Sequence, residues 1–484
     1  MAKANAIIGR ESEQRLLNDA FRSPESHLAA LYGRRRVGKT FLVRELFRGH
    51  LTMELTGLHN EPMKRQLENF ASSLRRHFPS APVAAASSWL AAFELLQNLI
   101  RGLPVSRGKK RVLFIDEFPW LETRRSGFLA AFELFWNTFA SQRSDMLVII
   151  CGSAASWMIR KVIGSKGGLH NRITVRLRLA PLTLGETRTY LEHRNVRLDD
   201  FQIAQLYMAI GGIPHYLNQV QSGRSAAQNI DRLCFAKDGL LVDEFQHLYA
   251  ALFEDANQHE AIVRALAKSG KGLTRNELLK AAALKSGGAS TYILKELIQS
   301  GFVMEAPPYD KKIKETLYQL ADEYSLFYLT WIEPNRTSGS DVWLRKASSR
   351  NYATWCGYAF ESLCLKHVAQ IKKALGIASV QTQECSWVHQ SKSSGDEGAQ
   401  IDLLIDRADH CTNICEMKFS MHSFKIDKQY AAELERKLRV FREKTKSTNT
   451  LFLTLVTTYG LEPNDHSQRL VSSEIRLSQL MEDA

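Results

Sequence analysis

Short apolar runs punctuate the first third of the chain. His27–Tyr32 (HLAALY), 51–55, 111–115 (RVLFI) and 146–151 (MLVIIC) each read as a buried strand. Between them, residues 40–47, 66–78, 88–99 and 129–140 carry apolar positions at helical spacing. Strands alternating with helices predict a parallel α/β sheet over residues 1–180. After Pro181 the pattern changes. Residues 184–193, 199–209 and 214–220 read as helices, a small helical lid over 181–250. Residues 274–279, 290–300 and 301–305 have the order helix, turn, longer helix, short strand, which predicts a winged helix-turn-helix within 251–335. Residues 334–349 are polar and irregular and read as a linker. A helix over 352–375 and strands at 399–405, 412–419 and 450–456 then mark a second, smaller α/β domain over 350–484.

Composition changes this picture little. Hydrophobic residues make up 44% of the chain and charged residues 24%, so each segment can bury a core. The net charge of +13 suits a phosphate-bearing partner such as DNA, although a soluble protein can be basic without one. The seven cysteines are odd in number and irregularly spaced, which predicts reduced thiols rather than a disulfide framework. His410, Cys411 and Cys415 lie close together, but a zinc site needs a second ligand pair and none is evident. No stretch approaches the ~20 apolar residues of a membrane span, and residues 1–10 hold no long apolar run. A cytoplasmic protein without a membrane partner is expected.

The first chemical signal is GRRRVGKT: Gly33, Arg34, Arg35, Arg36, Val37, Gly38, Lys39 and Thr40. It matches GxxxxGK[ST], follows a predicted strand and opens a predicted helix. The glycines let successive backbone N–H groups turn toward phosphates, and the helix N-terminus adds positive potential. Lys39 can reach the β- and γ-phosphates of ATP, and Thr40 can offer its hydroxyl to Mg2+. The strand at 111–115 ends in Asp116 and Glu117. That position puts Asp116 beside the metal and lets Glu117 polarise the attacking water. Ser153 ends the next strand, either as a polar sensor of the γ-phosphate or as part of an ordinary turn. Arg172 follows the glycine-containing stretch 164–168, and reads either as a γ-phosphate contact, in cis or from a neighbouring subunit, or as a plain surface arginine.

These motifs, with Ile8, Gly9, Arg10 and Glu11 ahead of the loop and Gly211, Gly212, Ile213 and Pro214 behind it, resemble the archaeal-type ATPases of the STAND group, relatives of AAA+ proteins and origin-recognition ATPases. The likeness covers roughly residues 5–335. It implies that Arg10 and Glu11 help frame the adenine pocket, and that Pro214 and His215, heading a lid helix, approach the nucleotide.

The later strands carry a second signal: Asp402 in AQIDLLI, and Glu416 and Lys418 in NICEMKF. Side chains alternate along a strand, so Glu416 and Lys418 share a face. Asp402 and Glu416 could hold a divalent ion there, with Lys418 orienting or deprotonating a water and Glu361, on a helix, adding a third carboxylate. The set resembles the PD-(D/E)XK nuclease superfamily. Glu361 matches its helix acid, Asp402 its metal-binding acid, and Glu416 with Lys418 its ExK pair. Gln400 departs from the pattern, where relatives of this ATPase often place an acid. Lys425, Lys428, Arg436, Lys437, Arg439, Arg442, Lys444 and Lys446 follow, either tracking a phosphate backbone or forming a solvated face interleaved with glutamates.

The expected fold is therefore α/β: a P-loop NTPase sheet with a helical lid, a winged helix and a small nuclease-like α/β domain. The expected function is an ATPase, using ATP and Mg2+, that controls a DNA-cleaving nuclease using Mg2+ or Mn2+. The alternative is a nucleotide-regulated switch that binds DNA or a protein partner, or self-assembles, through an inactive nuclease-like scaffold. A transporter-type motor is a third reading, for which no membrane or translocation partner shows.

Overall fold

Strands whose side chains are apolar on both faces cannot border water on either side, and three of the first five strands pack accordingly. In the computed structural model the described residues are 6–104, 110–164, 169, 171–253, 255–270, 272–309, 315–336, 341–346, 349–391 and 396–483. The chain divides into two compact units, Met1–Ala180 and Pro181–Ala484.

In the first unit, β1 (His27–Tyr32), β2 (Leu51–Thr56), β3 (Arg111–Asp116), β4 (Met146–Gly152) and β5 (Val175–Arg178) form one parallel sheet in the order β2-β3-β4-β1-β5. Every residue of β4 is buried. Helices Met63–His77, Trp89–Arg101 and Phe128–Thr138 contribute to a core rich in aromatic side chains, including Trp89, Phe93, Phe128 and Phe132. Strand β5 was not anticipated. Its sequence, VRLR, buries only Leu177 and places arginines on the exposed side of a sheet edge, so it lacks the continuous apolar run that marks its neighbours.

The second unit contains the expected helices Leu184–His193, Asp200–Ile210 and Pro214–Leu217. Helices Ala256–Ser269, Arg275–Ala281 and Gly288–Gln299 follow. With them goes a small antiparallel sheet of β6 (Leu273–Thr274), β8 (Leu317–Leu320) and β7 (Val303–Ala306), in that order. Further along, β9 (Thr382–His389), β10 (Ala399–Arg407) and β11 (Cys411–Lys418) form an antiparallel meander. Helix Lys428–Thr445 crosses over to β12 (Thr450–Thr457), which lies parallel to β11, as a parallel connection requires. Strand β13 (Ser473–Arg476) completes the sheet order β13-β12-β11-β10-β9.

The expected linker over 334–349 is a structural centre instead. Its described part contains the helix Val342–Lys346. Trp343 is buried, with ring centroids 4.9 Å from Phe327, 5.4 Å from Trp331 and 5.7 Å from Trp355. The buried carboxylate of Asp231, from an earlier helix, accepts hydrogen bonds from the N–H groups of Asp341 (3.0 Å) and Trp343 (2.8 Å). It satisfies donors that a helix start leaves without intrahelical partners. The polar residues around Trp343 hid one anchoring side chain. All seven cysteines are free thiols. Among the described residues no helix is long and apolar enough to cross a membrane.

Replacing this anchor should be costly. Trp343→Ala is expected to destabilise the second unit by about 3–5 kcal/mol, whereas Leu344→Ala, at an exposed neighbour, stays within about 0.5 kcal/mol. Denaturant unfolding followed by circular dichroism compares the two, and equal midpoints would contradict the role given to Trp343.

Candidate functional site

The first unit gathers its polar residues along one edge of the sheet. Tyr32 of β1 is level with Gly152 of β4, and Ile115 of β3 with Ile150 of β4. The chain leaving these strands therefore sets the P-loop, Asp116 with Glu117, and Ser153 along the carboxyl edge, where open parallel sheets bind ligands. Gly33 has φ 144°, and a Cβ there would collide with the carbonyl oxygen of Leu179. Gly38, at φ 92°, immediately precedes the helix Lys39–Leu46.

Lys39 is buried. Its ammonium donates to the carbonyls of Gly33 (2.9 Å) and Arg34 (2.8 Å), folding back over the loop. Thr40 Oγ1 donates to Asp116 Oδ2 at 2.7 Å. A hydroxyl and a carboxylate oxygen in contact make a hard-oxygen pair suited to Mg2+, so these two residues fit that ion. Around Lys39, Val37 and Arg34 are buried, while Arg35 and Arg36 are partly exposed. Arg10 is buried beside the loop, bonding the carbonyls of Ala180 (2.6 Å) and Val37 (3.5 Å). Its guanidinium ties the segment before the first helix to the P-loop and to the end of β5. Glu11 is exposed in the first turn of helix Glu11–Arg22.

Glu117 adopts a left-handed backbone at φ 46°, a conformation costing a non-glycine residue about 1–2 kcal/mol. The turn sends Phe118 into the core, where its ring lies 4.9 Å from Phe128 and 5.0 Å from Phe132. Packing behind the turn holds the carboxylate in front of it. Glu117 Oε2 accepts from Ser153 Oγ at 2.8 Å and from the Ser153 N–H at 3.3 Å. Ser153 thus clamps Glu117. The nearby Cys151 thiol is fully buried, and burial followed by the charge of Asp116 pushes its pKa far up, leaving it neutral.

Arg172 is exposed in the turn before β5; residues 165–168 and 170 of its neighbourhood lie outside the described residues. Pro214 and His215 belong to the second unit, where Pro214 opens its short helix. The glycines before them have a packing reason. A Cβ on Gly212 would collide with the carbonyl of Leu182, and one on Gly211, at φ 65°, would press on Glu323.

In the second unit, Leu403 of β10 pairs with Cys415 of β11, the end pair of their ladder, and Asp402 and Glu416 are the next residue on each strand. A bulge aims Asp402. Ile401 pairs with Trp387 and Leu404 with Cys385, leaving Asp402 and Leu403 together against Ser386. Ser386 turns its own backbone outward, bonding Pro307 (2.9 Å) and Tyr309 (2.8 Å). Asp402 accepts from Gln400 at 2.7 Å, the position where an acid was absent from the expected pattern. Glu361, on helix Arg350–Lys366, and Asp402 both line a cavity of about 1190 Å³, with Lys437.

Both oxygens of the buried Glu416 are engaged. Lys437 Nζ lies 2.6 Å from Oε1, and the Tyr430 hydroxyl donates to Oε2 at 3.1 Å. Lys418 instead sits over the face of Tyr430, 4.6 Å from the ring centroid. Burial alone would lower the Lys437 pKa, but Glu416, Glu433 and Asp402 outweigh it and hold the ammonium above its ordinary value. Burial, then Glu416, raises the Tyr430 hydroxyl. Among the described residues no group of three or more His, Cys, Asp and Glu side chains is placed to hold a metal ion. The sequence offered Lys437 only as one of a basic run. Several of that run are in ion pairs: Lys425 with Glu462, Arg439 with Glu397 and Lys444 with Asp396.

Residues 8–220 match a family model described as an ATPase domain predominantly from Archaea. Together with the P-loop geometry, this makes the first part of the chain a P-loop ATPase domain. Over 401 residues the chain is 23% identical to the uncharacterised protein MJECL04 of Methanocaldococcus jannaschii, covering 82% of this chain and 84% of that one. Among solved structures it is similar to the Walker-type ATPase PABY2304 of Pyrococcus abyssi (17% identity, 67% and 96% of the two chains, TM-score 0.48). It is also similar to the ORC2 protein of Aeropyrum pernix in ADPNP–ADP complexes (15% identity, 71% and 97%, TM-score 0.41).

Two substitutions separate binding from turnover. Lys39→Ala removes the ammonium expected to meet phosphate and should weaken ATP binding by roughly 10- to 100-fold; unchanged affinity in calorimetry would exclude the role assigned to Lys39. Glu117→Gln keeps the shape of the side chain but removes the carboxylate expected to act as the base. It should bind ATP normally and hydrolyse it about 10²–10⁴ times more slowly, and wild-type turnover would mean that another group activates the water.

Proposed function

We propose that the protein is an ATP-hydrolysing switch of the STAND type, in which the nucleotide state of the first unit governs work on DNA by the second. The observation that carries this reading is the prepared edge of the parallel sheet: Lys39 in the loop, Thr40 against Asp116, and Glu117 held by Ser153. The N–H groups between Gly33 and Lys39 would cradle the phosphates, and Lys39 would exchange its carbonyl partners for phosphate oxygens. Thr40 and Asp116 would hold Mg2+, which supplies charge neutralisation during phosphoryl transfer. Glu117 would then orient and polarise the attacking water. Arg10 sets the loop's flank. Arg172, Pro214 and His215 are proposed as further nucleotide contacts, Arg172 in cis or from another copy of the chain.

For the second unit, the helices Arg275–Ala281 and Gly288–Gln299 with the β6-β8-β7 sheet support a winged-helix reading. A nuclease reading rests on a different observation. The element order is helix, three-stranded meander, helix, strand, with Asp402 and Glu416 on the adjacent strands β10 and β11. As the side chains stand, Glu416 is committed to Lys437 and Tyr430 and does not present itself to a divalent ion. The arrangement favours the switch; cleavage would require those pairings to open.

The full-length protein decides between them. Phosphate release from ATP is expected with Mg2+ and is expected to stop with chelator; no release under either condition rules out the ATPase switch. In parallel incubations of plasmid with Mn2+, with and without ATP, cuts that disappear in Asp402→Ala establish a nuclease. Intact DNA with continuing phosphate release leaves the switch acting through a nuclease-like scaffold.

A further inference from the structure

Carboxylates taken out of water need a counter-charge, and the acids of the second unit already have one. Lys437, on helix Lys428–Thr445, is only 13% exposed. Its ammonium lies 2.6 Å from Glu416 and 3.6 Å from Glu433, and the charge of Asp402 acts on it as well. It reaches these acids from the helix, while Lys418, on the same strand as Glu416, is occupied by the ring of Tyr430.

We propose that Lys437 is the internal cation of this site: its ammonium neutralises Glu416 and Glu433 beside Asp402, so that a divalent ion could reach these carboxylates only by displacing it. The proposal uses the acids of the nuclease reading but does not depend on cleavage. Several observations converge on it. Glu416 is buried and shares the ammonium with Glu433, so without a cation two carboxylates would repel in a medium of low dielectric. Lys437 supplies one positive charge from a side chain long enough to withdraw. The adjoining cavity, lined by Asp402, Glu361, Glu433 and Lys437, gives dissolved ions a route to the acids. Ammonium and divalent ion are alternative ways of satisfying the same charge. The fold has installed the first, and the second binds only at the cost of breaking a buried pair.

The test uses the full-length, nucleotide-free chain and Mn2+ as the probe. In Lys437→Met the side-chain length stays but the charge goes, leaving Glu416 with the Tyr430 hydroxyl and no counter-charge from Lys437. That variant is expected to melt below wild type and to regain stability as Mn2+ is added, while wild type gains nothing over the same range. Its apparent Mn2+ affinity should exceed that of wild type by at least roughly tenfold, about 1.4 kcal/mol, and adding Asp402→Asn should abolish the gain. Equal Mn2+ response in the variant and wild type overturns the proposal. A second measurement needs no Lys437 variant. Wild type should show no saturable Mn2+ binding that depends on Asp402, and acetylation of Lys437, read by mass spectrometry, should be unaffected by Mn2+. Tight wild-type binding lost in Asp402→Asn also overturns it. DNA cleavage, scored separately, bears on the nuclease reading alone.

Discussion

An ammonium group removed from water must be surrounded by oxygen, because a bare buried charge costs far more than a domain's net stability can absorb. Two lysines in this protein meet that constraint in different ways. Lys39 is satisfied by two backbone carbonyls of its own loop, and Lys437 by side-chain carboxylates. Much of the surrounding architecture arranges those oxygens. The P-loop must curl tightly enough to turn the carbonyls of Gly33 and Arg34 toward Lys39, and Gly33 cannot carry a side chain because its Cβ would meet the carbonyl of Leu179. In the second unit, β11 must sit beside the helix Lys428–Thr445 closely enough for Glu416 to meet Lys437.

The two solutions differ in how readily they can be exchanged. A carbonyl is neutral, so a phosphate can outbid it for Lys39 with full charge-assisted strength while the freed carbonyls turn to water. A carboxylate is already charged. Pulling Lys437 away strands both partners in a poorly hydrated place, and the pair holds unless another cation arrives. The P-loop lysine is thus arranged for transfer between partners, and the helix lysine for retention. The same contrast separates Glu117, clamped only by a serine hydroxyl and N–H, from Glu416, neutralised by an ammonium.

What could be read from the sequence followed the strength of local patterns. Strands β1 to β4 announce themselves as apolar runs, and the P-loop and the acid pair after β3 sit at fixed distances from them. Strand β5 does not, because its arginines face outward at the sheet edge. Trp343 was hidden among polar residues, since its partners Phe327, Trp331 and Trp355 gather only in three dimensions. Period-two alternation placed Glu416 and Lys418 on one face, yet the charged partner of Glu416, Lys437, lies 21 residues further on, in a helix. No local pattern distinguishes Lys437 from the other basic residues of that helix. The clamp of Ser153 on Glu117 was likewise invisible, because it joins the ends of two strands that are neighbours only in the sheet.

The bulge in β10 carries a consequence for how this chain can change over generations. Asp402 and Leu403 share one position against Ser386, so the strand holds one residue more than its neighbour requires. Substitutions there alter one side chain at a time. Deleting a residue would erase the bulge and bring the ladder into simple alternation, leaving the pairs on either side with the partners they have now. A shortened strand in a descendant would therefore keep its pairing with β9 and mark only the loss of whatever Asp402 does.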